Sequence, residues 1–79
     1  MNRSDAVAIL ERVLVIDERS GRNLTGCFMG YNFARQALIH YHGHPAGDDF
    51  GAHDLYQVQA SGAPCTCATA NAARQRLRR

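Results

Sequence analysis

Lysine is missing altogether: all nine basic side chains of the 79-residue chain are arginine. That removes the lysine of a phosphate-binding P-loop. Gly26 and Gly30, with Cys27-Phe28-Met29 between them, also lack the third glycine of a dinucleotide fingerprint, so no nucleotide site is expected. Long apolar runs are missing too. MNRSDAVAILERVLVIDE is interrupted by Glu11 and Arg12 and has no small-residue cleavage site, so neither a signal peptide nor a membrane span is read and a cytoplasmic location is expected. Cysteine is odd in number. In that compartment Cys27, Cys65 and Cys67 are expected as reduced thiols, one of which is left over to join two chains in an oxidised preparation. The sequon Asn23-Leu24-Thr25 would then meet no glycosylation machinery.

What is present suits a folded unit. Apolar residues make up 46% and charged residues 20%, near globular averages, which excludes wholesale disorder. The chain, 1–79, reads as one small domain with 70–79 as an arginine-rich tail. Its modest core argues against a self-sufficient multi-step enzyme and favours a homodimer or larger assembly that buries an edge strand or an aromatic patch against a copy of itself. The net charge of +2 is unevenly laid out, with Asp48, Asp49 and Asp54 making the middle acidic and Arg74, Arg76, Arg78 and Arg79 closing the chain.

Turn signals divide the chain into about five pieces. Val13-Leu14-Val15-Ile16, the turn-forming Glu18 to Arg22, and Leu24 to Tyr31 read as a β-hairpin. Ser4 to Glu11 is open between a capped helical turn and an early start to the first strand. Asn32 is a good N-cap for a helix over Phe33 to His42, with Phe33, Ala34, Ala37, Leu38 and Tyr41 on one face. His53 to Ala60 alternates as a half-buried strand, and Ser61 to Pro64 is a turn. Cys65 to Thr69 is open to a fourth strand, and Ala70 to Arg79 to a short helix or a frayed tail. The expected fold is α+β: a small antiparallel sheet in ββαβ order with one helix packed on one face.

The stretch HYHGHPAGDD, residues 40–49, carries the most chemistry. Read as a helix end, it stops at Gly43 with Pro45 following. His40 and His42 would then lie about 200° apart around the helix axis and diverge. A non-catalytic zinc site that joins His40, His42, His44 or His53 to Cys65 and Cys67 is the competing reading, and it is disfavoured because Cys-x-Cys is not the usual zinc-finger spacing. Half-buried free thiols are the simpler reading of Cys65 and Cys67. No metal site, cofactor or catalytic residue is therefore expected.

His42-Gly43-His44-Pro45-Ala46-Gly47-Asp48 resembles the H-x-H-P-x-G-D stretch of JAMM metallopeptidases, a resemblance that would imply two histidines and an aspartate on zinc with a distant glutamate, here Glu11 or Glu18, handling the water. The match departs at Ala52, where the family has serine, and at Leu55, where it has aspartate with Asp54 one residue early. In size, composition and architecture the chain is similar to small phage- and prophage-encoded inhibitors, and in particular resembles type I anti-CRISPR proteins. That resemblance implies a non-enzymatic binder that occupies the CRISPR interference complex (Cascade) and blocks target-DNA recognition. The contact surface expected from the residues comprises Asp48, Asp49 and Asp54, the aromatics Tyr41 and Phe50, and Arg74, Arg76, Arg78 and Arg79. The alternatives are an accessory protein held to nucleic acid by its arginine-rich tail, with direct binding weak, and a degenerate JAMM-like zinc protein.

Overall fold

The structure, a computed structural model, describes residues 8–77. The chain runs through β1 (Glu11–Asp17), β2 (Arg22–Tyr31), β3 (Ala37–Tyr41), β4 (Phe50–His53), a 3-10 turn (Leu55–Gln57), β5 (Val58–Pro64) and α1 (Ala68–Leu77). All five strands form one antiparallel sheet in the order β4-β3-β2-β1-β5. The first four strands are a meander, and β5 returns to the free side of β1.

The β-branched run of β1 sets the alternation. Val13 and Val15 are buried, while Leu14 and Ile16, facing the other way, are half-buried. The hairpin turn after β1 is closed by the Asp17 carboxylate accepting from the Arg19 N–H (3.1 Å) and the Asp17 carbonyl accepting from the Gly21 N–H (2.8 Å). Val13, Val15, Phe28, Ala37, Ile39 and Val58 form one buried cluster, although they come from four strands. Leu24, Tyr41 and Leu55 pack against it. Contact among strands this far apart in the sheet order means that the sheet curls and uses its own concave face as the core. A bulge between Phe28 and Gly30 in β2, and extra residues of β5 between Ala60 and Pro64 opposite Glu11 to Val13 of β1, provide the bending.

The expected hairpin is present and the α+β class holds, but the ββαβ order does not. No helix forms at 33–42. Asn32 does cap, but what it caps is a turn: its Oδ1 accepts from the Ala34 and Gln36 N–H groups (both 2.9 Å), and Arg35 adopts a left-handed φ of 62°. From Ala37 onward the residues that a helix would place on one stripe alternate instead, with Ala37, Ile39 and Tyr41 toward the core and Leu38 and His40 away from it. Pairing with β2 on one side and β4 on the other overrides the local helical preference.

The strand expected at 53–60 is divided. His53 ends β4, Leu55–Gln57 is the 3-10 turn, and β5 extends through the residues expected as a turn, 61–64. Cys65 to Thr69 makes no fourth strand, and the helical reading of the tail is the one realised, in α1. Arg78, Arg79 and the first part of Ser4 to Glu11 lie outside the described residues. Among the described residues no helix is long and apolar enough to cross a membrane.

Candidate metal centre

The convex face of the sheet carries a row of side chains across four strands: Arg12 pairs with Cys27, Cys27 with His40, and His40 with Phe50. Cys27 points this way because its neighbours Gly26 and Phe28 face the concave core. His42, two residues after His40, extends the same alternation just beyond β3. Its N–H donates to the Thr25 carbonyl (2.9 Å), so the ladder continues one residue further before Gly43 turns the chain at φ 81°. On a strand the two histidines project to one side, and their ring centroids are 6.3 Å apart. The divergence expected from a helix end is thereby overturned.

The chain then delivers two more donors from above. Pro64 ends β5, and the Cys65 N–H donates to the carbonyl of Leu10 (2.9 Å). Leu10 itself adopts a left-handed φ of 68°, costly for a branched residue by about 1–2 kcal/mol. In this conformation its N–H reaches the Phe28 carbonyl (2.7 Å) while its buried side chain joins Cys27, Cys65 and Ala70 in a second core cluster. Cys67 stands at the cap of α1, where its sulfur accepts from the Ala70 N–H (3.4 Å) and its carbonyl from the Asn71 N–H (2.9 Å). The Cys65-Thr66-Cys67 segment brings both thiols to this cluster, and Ala70 and Ala73 let α1 lie close against them.

These elements bring Cys27 Sγ, Cys65 Sγ, Cys67 Sγ and His42 Nε2 within 4.8 Å of one another. Cys27 Sγ is 2.8 Å from Cys65 Sγ, 3.2 Å from Cys67 Sγ and 3.2 Å from His42 Nε2, and Cys65 Sγ is also 3.2 Å from His42 Nε2. These sulfur separations are far longer than the ~2.05 Å of a disulfide. The arrangement is that of four donors converging on one point. Three thiols and an imidazole are the donor set of a structural Cys3His zinc site, and the softness of thiolate selects zinc over magnesium or calcium.

Electrostatics set Cys27, Cys67 and His42 apart from one another. Burial, together with Cys65 and Cys67, pushes the Cys27 thiol far up. Cys67 is lowered: burial opposes ionisation, but the Ala70 N–H bond, the contacts with Cys27 and Cys65 and the Thr69 N–H outweigh it. His42 is lowered by burial first, then by His40 and Arg12, which keeps its ring neutral and ready to ligate. Metal uptake must displace the thiol protons. Zinc binding near neutral pH is therefore expected to release about three protons, one per thiol, and to weaken steeply as pH falls through the histidine range. Calorimetric titrations in buffers of different ionisation enthalpy read the proton count directly.

The residues anticipated as a contact surface are not gathered in one place. Asp48 and Asp49 precede β4 and Asp54 follows it, roughly 13 Å further along a four-residue strand. Asp49 lies 3.3 Å from His40 Nε2 through Oδ2, while Asp48 and Asp54 are exposed. Tyr41 packs on the concave core, with its hydroxyl hydrogen-bonded to His53 Nε2, whereas Phe50 is exposed on the convex side. Arg74 is half-buried and donates to Asn71 Oδ1 (2.9 Å) and the Leu10 carbonyl (3.3 Å); Arg76 is exposed. Glu11, one of the two glutamates considered for a metallopeptidase, is buried and accepts from the N–H groups of Ala8 (2.9 Å) and Gly62 (2.6 Å). His44 and Asp48 do not belong to the donor cluster around His42.

Comparison with protein-family models, with curated proteins and with solved structures finds no match.

Proposed function

We propose that this chain is a metal-stapled interaction module, in which Zn2+ on Cys27, His42, Cys65 and Cys67 locks α1 and the β5 end onto the sheet and the surface so fixed serves binding. The observation that carries the reading is the convergence of four donor atoms from three separate segments within 4.8 Å. Four protein ligands complete a tetrahedral sphere and leave no position for a reacting water, which favours a structural role over a hydrolytic one. The two glutamates considered for a hydrolytic mechanism argue the same way: Glu11 is tied to two backbone N–H groups, and Glu18 stands exposed in the turn beyond the far end of β1.

The target proposed for the module is a protein complex that handles nucleic acid, with a type I CRISPR interference complex as the case suggested by the chain's build. Exposed Asp48, Asp54 and Arg76 offer charge for such a contact without structural duties, unlike Asp49 and Arg74. Asp48→Lys with Asp54→Lys is expected to slow association with the complex several-fold and to change its salt dependence while the melting temperature stays within a few degrees. Capture and inhibition assays against a reconstituted interference complex check this. A zinc-loaded parent that neither binds nor inhibits the complex would remove this target and leave the metal-stapled module standing.

A further inference from the structure

The four donors of the metal centre are unequally covered. Cys27 and Cys65 are 0% and 1% exposed, whereas Cys67 is half-buried. An opening of about 390 Å3, lined by Arg12, Thr25, His42, Cys65, Thr66 and Cys67, leads to this corner, and Cys27 is not part of its wall. We infer that Cys67 is the modification site of the centre, the sulfur that a small hydroperoxide or a soft carbon electrophile reaches first, and that its oxidation ejects the metal. The inference rests on the metal-bound reading above and adds a regulatory chemistry to the same four residues.

The steps balance with hydrogen peroxide as the named oxidant. The Cys67 thiolate attacks one peroxide oxygen, the O–O bond breaks, a sulfenic acid forms on Cys67, and the departing hydroxide takes a proton to become water. Arg12 lies in the wall of the same opening. Cys27 Sγ, 3.2 Å from Cys67 Sγ, then attacks the sulfenic sulfur. An S–S bond forms, the S–O bond breaks, and a second hydroxide leaves and is protonated. Two thiolates have given up two electrons to one peroxide, which ends as two waters. Cys65 and His42 alone do not make a closed zinc site, so the ion departs. The disulfide ties β2 to the cap of α1 in place of the metal.

The test starts from full-length protein whose zinc content has been measured. Under limiting iodoacetamide, peptide mass mapping is expected to find Cys67 carbamidomethylated about tenfold faster than Cys27 or Cys65. Under hydrogen peroxide, a chromogenic chelator should register one zinc released per chain as the protein loses the mass of two hydrogens and a linked Cys27–Cys67 peptide appears. Cys67→His, which keeps four donors, is expected to hold zinc and to resist peroxide about tenfold longer than the parent. Equal labelling of the three cysteines, a first disulfide between Cys27 and Cys65, or release from Cys67→His as fast as from the parent would each overturn the inference while leaving the zinc site intact. A parent chain that takes up no zinc would overturn the metal reading and this one together. If Cys67→His does not fold, the labelling order in the parent still decides the question.

Discussion

Cys27→Ser is expected to abolish stoichiometric zinc binding and, with it, the cooperative fold. The domain is short, and surface-to-volume scaling leaves chains of this size with little stability to spare. Its buried apolar side chains are split between two clusters, and the second of them, Leu10, Cys27, Cys65 and Ala70, is built around two metal donors. Structural zinc contributes about 10–16 kcal/mol of apparent binding free energy in small zinc-dependent peptides, comparable to or larger than the roughly 5–15 kcal/mol of net stability in a whole domain. Cys27 holds the most demanding position of the four. It sits on β2 in the middle of the sheet, contacts each of the other three donors, and is followed by Phe28 of the main core. Losing its ligand bond should therefore unfasten α1 and loosen β2 in one event. Circular dichroism is expected to show no cooperative melt for the variant at ambient temperature, and a strong chelator should bring the parent to the same state. A variant that melts within a few degrees of the parent would show that the sheet does not depend on the metal.

The second large effect is expected at Gly26. A Cβ built there falls onto the backbone carbonyl oxygen of His40 and 2.7 Å from Ile39 Cγ2, closer than real Cβ atoms come to either. Both obstacles belong to β3, which is hydrogen-bonded to β2 and packed into the core, so neither can swing aside as a surface side chain would. Overpacking of a core ordinarily costs about 1–3 kcal/mol, and a clash with backbone in the middle of a sheet belongs at or above the top of that range. Gly26→Ala is therefore expected to lower stability by about 3 kcal/mol or more, read as a shift in the denaturant midpoint of zinc-loaded protein. The same change displaces His40 and so disturbs His42 two residues on, so weaker zinc affinity should accompany the lost stability. Gly21→Ala makes a useful contrast. There no atom lies within 4 Å of the added Cβ, and the effect is confined to the strain of a left-handed φ of 71°.

Much of the hairpin was legible because β1 and β2 obey local rules: a β-branched run, turn-forming residues from Glu18 to Arg22, and a partner strand rich in aromatic and small residues. The helical reading of 33–42 failed for an identifiable reason. Phe33, Ala34, Ala37, Leu38 and Tyr41 satisfy a helical spacing, while Ala37, Ile39 and Tyr41 satisfy a strand spacing, and only the neighbours β2 and β4 decide between them. That one misreading concealed the site as well, because a period of 3.6 separates His40 from His42 and a period of 2 brings them to the same side. Cys27 carries a signal of its own. It alternates with Phe28 in a strand that was correctly placed, which puts its thiol on the convex face with the histidines. The joining of Cys65 and Cys67 to it depends on β5 returning beside β1, a long-range pairing that no local spacing encodes. The acidic residues are close in sequence but not in space, since β4 separates Asp54 from Asp48 and Asp49.

The central claim is that Cys27, His42, Cys65 and Cys67 ligate one metal ion as a closed tetrahedral set. Cobalt(II) titration of the reduced, metal-free chain, followed by absorption spectroscopy, tests it most directly, since Co2+ reports geometry and donor type where Zn2+ is silent. The account predicts saturation at one ion per chain, the intense ligand-field bands of a tetrahedral site with thiolate charge transfer, stoichiometric displacement by zinc, and loss of the signal in both Cys27→Ser and His42→Ala. A weak octahedral spectrum, saturation at some other stoichiometry, or full retention of the tetrahedral bands in either variant would contradict it.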